Sequence, residues 1–211
     1  MNEIVTTLQT IHKKIEPQIK ERFLQFKRNG TPERIQKEFY FCLLTPQCKA
    51  RVCWDNVEKL FRGGVLQCGS EKQISGSLCG VRFRNNKSRY IVEAREKCFN
   101  GSGLFLRKLY EEGNAEVLRS YIVENVKGMG YKEASHFLRN TGRGDELAIL
   151  DRHILRGLVA AGVIGAVPGN LLPGKYLCTE ELMKRFAEEA EIPMFHLDFV
   201  FWYYFNGEVF K

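Results

Sequence analysis

Between Val117 and Leu158 the chain interleaves helix-period apolar positions with glycines, and this restricts its fold more than any other stretch does. Leu118 and Ile122 share one helical face, Gly128 and Gly130 interrupt it, and Ala134, Phe137 and Leu138 open a second face with the same period. The pattern predicts two short helices joined by a tight glycine turn. Glycine at 128 and 130 allows positive φ, and without side chains the turn can bring the N–H groups that start the second helix close to a phosphate. Such a grip on a nucleic-acid backbone reads no sequence. On its own, a GxG turn is several times more often just a corner between packed helices.

Two charged residues extend the reading toward chemistry. Lys132 falls in the first turn of the second helix, where the helix dipole disfavours a cation, so the expectation is an amine that reaches its neutral, nucleophilic form easily. After the TGRGDE loop and the apolar run Leu147 to Leu150, Asp151 stands just ahead of Ile154, Leu155 and Leu158, in an N-cap position. An amine able to attack a sugar carbon, a carboxylate able to offset the positive charge developing there, and a turn able to hold a phosphate together make a base-excision site.

The segments GMGYKEASHFLRNTG and AILDRHIL resemble the signature of the helix-hairpin-helix/GPD superfamily of DNA glycosylases. They are most similar to the compact second class of 8-oxoguanine DNA glycosylase/AP lyases. The resemblance covers residues 38–211 and is most specific over 126–155. It implies an all-α protein of two helical subdomains with an active-site cleft between them. Residues 32–145 would form the domain carrying the helix-hairpin-helix, and residues 1–31 and 146–211 the second domain.

The implied activity is excision of 8-oxoguanine from double-stranded DNA. Lys132 would attack C1′ while Asp151 offsets the charge of the sugar, and the resulting Schiff base would nick the strand by β-elimination. By the same resemblance Gln47 and Phe83 would occupy the space left by the extruded base, His153 would contact a phosphate, and Trp202 and Lys211 would line the base pocket. Two alternatives stay open: a non-catalytic helix-hairpin-helix module that only binds DNA, and a glycosylase for another lesion such as an oxidised pyrimidine or a mispaired adenine.

Composition agrees with a polyanionic partner: the formal net charge is +7 and the isoelectric point about 9.0. The first twenty residues hold no apolar run of signal-peptide or membrane-span length, so the expectation is a cytoplasmic protein, nucleoid-associated through DNA, without membrane contact and monomeric. Cysteines 42, 48, 53, 68, 79, 98 and 178 include no CxxC pair, which argues against a disulfide framework or a zinc ribbon. Only Cys178 follows Asp151, so the four-cysteine iron–sulfur loop of some superfamily members is not expected, and no cofactor is required. Whether a monovalent cation sits on the hairpin carbonyls is left open.

Elsewhere, apolar residues every three or four positions predict a helix over 3–28, bent near Pro17. Gly30-Thr31-Pro32 then reads as a stop, a cap and a new start. A buried helix follows, ending at Thr45-Pro46-Gln47, and the next is expected from Cys48. Phe83 sits among Arg82, Arg84, Lys87 and Arg89, a loop suited to holding phosphates while wedging a ring into the base stack, with a helix from Tyr90. Pro173-Gly174 closes a loop-rich passage before a helix expected from Thr179 to Ala190. Phe195, Phe199, Trp202 and Tyr203 share helical spacing, mostly as core.

Overall fold

Capping residues account for many of the helix boundaries. The computed structural model describes residues 3–28, 30–101 and 103–209. Thr31 caps helix α2 (Pro32–Leu44) by accepting from Arg34 N, with Pro32 in the first turn, where its missing N–H costs nothing. Ser70 and Gln73 form a reciprocal capping box on α5 (Glu71–Ser77). Asn114 caps α8 (Ala115–Asn125) through Glu116 N and Val117 N. The other helices are α1 (Glu3–Arg28), α3 (Ala50–Arg62), α4 (Val65–Cys68), α6 (Arg84–Ala94), α7 (Leu104–Glu111), α9 (Tyr131–Asn140), α10 (Arg152–Ala160), α11 (Pro173–Glu189) and α12 (Met194–Asn206). A π-helical turn, Arg95–Phe99, continues α6. The described residues contain no strand, so the fold is all-α.

α1 spans 3–28 as expected and continues through Pro17, because Leu8, Ile15, Ile19 and Phe26 bury one stripe that outweighs a single lost hydrogen bond. Three boundaries depart from the sequence expectation. α3 begins at Ala50 rather than Cys48, after the turn Thr45–Cys48, in which Cys48 N donates to Thr45 O. α6 begins at Arg84 rather than Tyr90: its first turns are polar, and a search for apolar periodicity passes over them. α11 begins at Pro173, where the proline that looked like part of a loop occupies the first helical turn.

The buried apolar side chains gather in two clusters. One joins α2 to α9 from Ile35 to Leu147, where the Phe39 ring meets Phe99, Phe105 and Phe137 edge-on at 5.1, 5.4 and 5.4 Å. The other combines the inner face of α1 with α10, α11 and α12. Gly157 lets α12 approach α10 closely, since a Cβ there would lie 2.3 Å from the Phe201 ring.

Buried ion pairs bridge the two clusters. Arg119 of α8 donates to both oxygens of Glu180 on α11, at 2.6 and 2.8 Å. Arg139 of α9 pairs with Asp198 of α12 and lies over the Phe199 ring, 4.5 Å from its centroid. A buried charge costs several kcal/mol unless it is paired and hydrogen-bonded, so each pair fixes one choice of docking. At the α1–α12 contact, His12 and His196 face each other; burial, with His12 adding to it, pushes His196 down to about 4. No helix among the described residues is long and apolar enough to cross a membrane.

Candidate active site

The turn between α8 and α9 is built much as its glycines suggest, with one difference. Val126 N donates to Ile122 O at 2.8 Å, closing α8, and Met129 N donates to Val126 O at 3.2 Å across the turn. Gly128 has φ +91°, and a Cβ there would lie 2.5 Å from the Tyr90 ring, so conformation and space both demand glycine. Gly130, expected at positive φ, is instead extended, with φ −90° and ψ −173°. That is the ordinary conformation of an N-cap, and glycine serves there by lacking a side chain. No side chain caps α9, which leaves its first N–H groups facing outward for an anion.

In the first turn of α9, Lys132 Nζ is 2.8 Å from Glu133 Oε1, with the two side chains 24% and 13% exposed. Burial is the largest single influence on this amine and favours its neutral form. The Glu133 charge, the Glu133 hydrogen bond and the Asp151 charge act the other way and together raise its pKa. The expectation of an easily neutralised amine is therefore corrected: its neighbours are carboxylates, and they outweigh desolvation and keep the resting group an ammonium.

Asp151 caps α10 as expected, accepting from His153 N at 2.8 Å and Ile154 N at 2.9 Å. Both bonds use Oδ1, so the cap does not occupy the second oxygen. The imidazole of His153 lies against Trp202 at 4.9 Å and Phe205 at 5.9 Å. His153 Nδ1 and Trp202 Nε1 are buried without hydrogen-bond partners among the described residues, an unusual cost next to a carboxylate in an apolar setting. Asp151 links Lys132, on which its charge acts, to His153, from whose backbone N–H it accepts, and the His153 ring meets Trp202 edge-on.

Gln47 and Phe83 sit on two loops held together by one buried lysine. Lys87 Nζ donates to Leu44 O at 2.7 Å and Pro46 O at 2.8 Å and approaches Cys48 Sγ at 3.4 Å. Lys87, read as part of a phosphate-holding rim, is therefore structural: its ammonium satisfies carbonyls that the end of α2 leaves free. Arg82 N donates to the same sulfur at 3.0 Å. Gln47 and Phe83 both adopt left-handed backbone, φ 55° and 57°, which is costly for residues with a Cβ. Phe83 is 53% exposed. Cys53 joins this region to the lysine: burial pushes its thiol up to about 12, while Cys48, Lys87 and Lys132 all act on it electrostatically. Lys211 lies outside the described residues. A concavity of about 680 Å³ lined by Asp145, Lys184, Glu188 and Phe195 shares no lining residue with this site.

A family model described as 8-oxoguanine DNA glycosylase matches residues 16–192. The chain belongs to that family. A Fusobacterium nucleatum 8-oxoguanine DNA glycosylase/AP lyase is 42% identical over 214 residues, covering 100% of this chain and 99% of that one. The crystal structure of the Thermotoga maritima 8-oxoguanine DNA glycosylase superimposes with a TM-score of 0.89 at 32% identity, with full coverage of both chains. The Methanocaldococcus jannaschii 8-oxoguanine glycosylase/lyase, solved in complex with a 15mer DNA containing 8-oxoguanine, matches with a TM-score of 0.88 at 32% identity, covering 98% of this chain and 99% of that one.

In this glycosylase, sequence reasoning missed the residues that hold the reactive ones in place. Glu180 Oε1 accepts from Ala148 N at 2.6 Å, Tyr176 OH donates to Ala148 O at 2.6 Å, and Leu150 N donates to the Tyr176 hydroxyl at 3.4 Å. Together with Arg119 these contacts fix the segment that delivers Asp151. Nothing local in the sequence marks Glu180 or Tyr176, because their partners lie far away in the chain. Glu133 was within reach of inspection as the immediate neighbour of Lys132.

Proposed function

We propose that this glycosylase excises 8-oxoguanine from double-stranded DNA with Lys132 as the nucleophile and then cuts the abasic strand as a lyase. The observation that supports the assignment is that the Asp151 charge acts on the Lys132 amine in the first turn of α9, whose start no side chain caps. Family membership supplies the substrate.

In the reaction we infer, the amides at the start of α9 hold a backbone phosphate while the damaged base leaves the stack, at a cost of a few kcal/mol. Gln47 and Phe83, already set in strained and exposed positions, fill the vacated space. The base lies against Trp202, whose unpaired indole N–H and neighbouring His153 Nδ1 offer polar contacts to the flipped nucleotide, and Lys211 contributes to recognition. Lys132 loses its proton and attacks C1′ as the glycosidic bond breaks, and Asp151 offsets the oxocarbenium-like charge; a proton shed by the attacking nitrogen leaves with the base. The C1′–O4′ bond of the resulting aminal then breaks, O4′ takes a proton from solvent, and the product is a protonated Schiff base. Loss of a C2′ proton then expels the 3′ phosphate and cuts the strand. The chain's own side chains supply the nucleophile and the charge compensation, and the scheme calls for no metal or cofactor.

A panel of duplexes carrying 8-oxoguanine, an oxidised pyrimidine or a mispaired adenine tests the reading. Release of free 8-oxoguanine with a nick 3′ to the lesion is expected, with the other substrates left intact. Preferential release from either of the others would replace the proposed substrate.

A further inference from the structure

His12, Glu16 and His196 take no part in the chemistry above, yet they assemble a set of donors. His12 and Glu16 are one turn apart on α1, and His196 is in the first turn of α12. His12 Nε2 and His196 Nδ1 are 2.7 Å apart. One ligating atom from each of the three residues lies within 4.8 Å of the others. His196 is buried and its Nε2 has no hydrogen-bond partner among the described residues, whereas His12 and Glu16 are half-buried and leave one side open to water.

Two imidazoles and a carboxylate with an open fourth position form a donor set suited to a tetrahedral, borderline-soft cation rather than to an oxygen-seeking one. Zn–N bonds of about 2.0–2.1 Å in a tetrahedron place two ring nitrogens about 3.3 Å apart. The observed pair would have to separate by roughly 0.6 Å, which a small rotation of the half-buried His12 side chain supplies. Glu16 now pairs with Lys20 at 2.8 Å, but that pair is solvent-exposed and cheap to exchange.

We propose that His12, Glu16 and His196 bind a zinc-class divalent cation that clasps α1 to α12. α12 also carries Trp202 and the Asp198 partner of Arg139, so the clasp secures the helix on which the aromatic side of the site is built.

The test is a titration of the chelator-stripped full chain with zinc sulfate. The exposed thiols Cys68, Cys79 and Cys178 are replaced by serine so that they do not compete. Calorimetry should find one equivalent bound with a Kd in the micromolar range or tighter, and a hundredfold excess over Kd should raise the melting temperature by several degrees. His12→Ala and Glu16→Gln, both at half-buried positions of a helix, should each weaken binding about tenfold or more while the chain stays folded. Magnesium chloride at equal concentration should change nothing. The proposal is overturned by the absence of a saturable equivalent, by affinity unchanged in His12→Ala, or by an equal response to magnesium.

Discussion

Replacing Glu133 by glutamine should make Lys132 a better nucleophile at neutral pH. The carboxylate lies 2.8 Å from the amine, in a pair whose members are 24% and 13% exposed. Exposed pairs contribute about 0.2–1 kcal/mol, and breaking fully buried ones costs about 3–5, so a partly buried pair falls near 1–2 kcal/mol. Losing the Glu133 charge lowers the Lys132 pKa, and at about 1.4 kcal/mol per factor of ten the neutral fraction rises roughly tenfold. Asp151 still opposes this, but burial, which favours the neutral amine, meets less resistance. The assay is borohydride trapping on a preformed abasic duplex under single-turnover conditions, followed from about pH 6 to 9. The logarithm of the rate should rise linearly with pH for both proteins, with the variant displaced toward acid and roughly tenfold faster at a given pH. Coincident profiles, or a variant slower at every pH, would refute the view that Glu133 holds the amine in its resting charged state. The stability effect has a defined sign. The folded pKa lies above 10.5, so wild type is more stable than the variant at neutral pH, and the difference disappears as pH rises through the folded value.

Asp151→Asn should preserve the cap on α10, changing stability by under about 0.5 kcal/mol in thermal denaturation, because asparagine caps about as well as aspartate. Excision in single-turnover assays should nevertheless fall by about 10²–10³ through loss of the charge. Gly128→Ala places a Cβ 2.5 Å from the Tyr90 ring at φ +91°. It should cost about 1–3 kcal/mol in denaturant unfolding and weaken duplex binding in fluorescence anisotropy. Lys87→Met removes the ammonium from the Pro46 carbonyl and leaves Leu44 O only the weak Cys53 thiol, so melting temperature should fall and KM for lesion-bearing duplex should rise as the Gln47 loop loosens.

What could be read in advance followed from physical range. The α8–α9 turn and the Thr31 and Asp151 caps rest on contacts within a few residues, the buried stripe of α1 on an apolar period, and each of these is in the structure. The conformation of Gly130 is not legible in advance because one sequence pattern, GxG, covers both a left-handed turn residue and an extended cap. Lys87 looked like a surface charge because its carbonyl partners at 44 and 46 belong to another helix end. The start of α6 and the first turn of α11 escaped because polar helical turns and a proline in the first turn carry no apolar period. The charge state of Lys132 was misjudged for a related reason: the dipole argument considered the helix terminus but not the carboxylates that the fold and the next residue bring to it. The Arg119–Glu180–Ala148 network had no local signal at all.

Identification of the lysine that forms the covalent bond to DNA tests the central assignment most directly. Lys127 is the nearest rival: it is 61% exposed, 3.9 Å from Glu93, and lies on the other side of the glycine turn. Borohydride-trapped complex should yield, on proteolysis and mass spectrometry, a nucleotide adduct on Lys132. Lys132→Gln should bind the duplex but form no trapped complex, and Lys127→Gln should trap as wild type does. An adduct on Lys127, or undiminished trapping by Lys132→Gln, would contradict the assignment of Lys132 as the nucleophile.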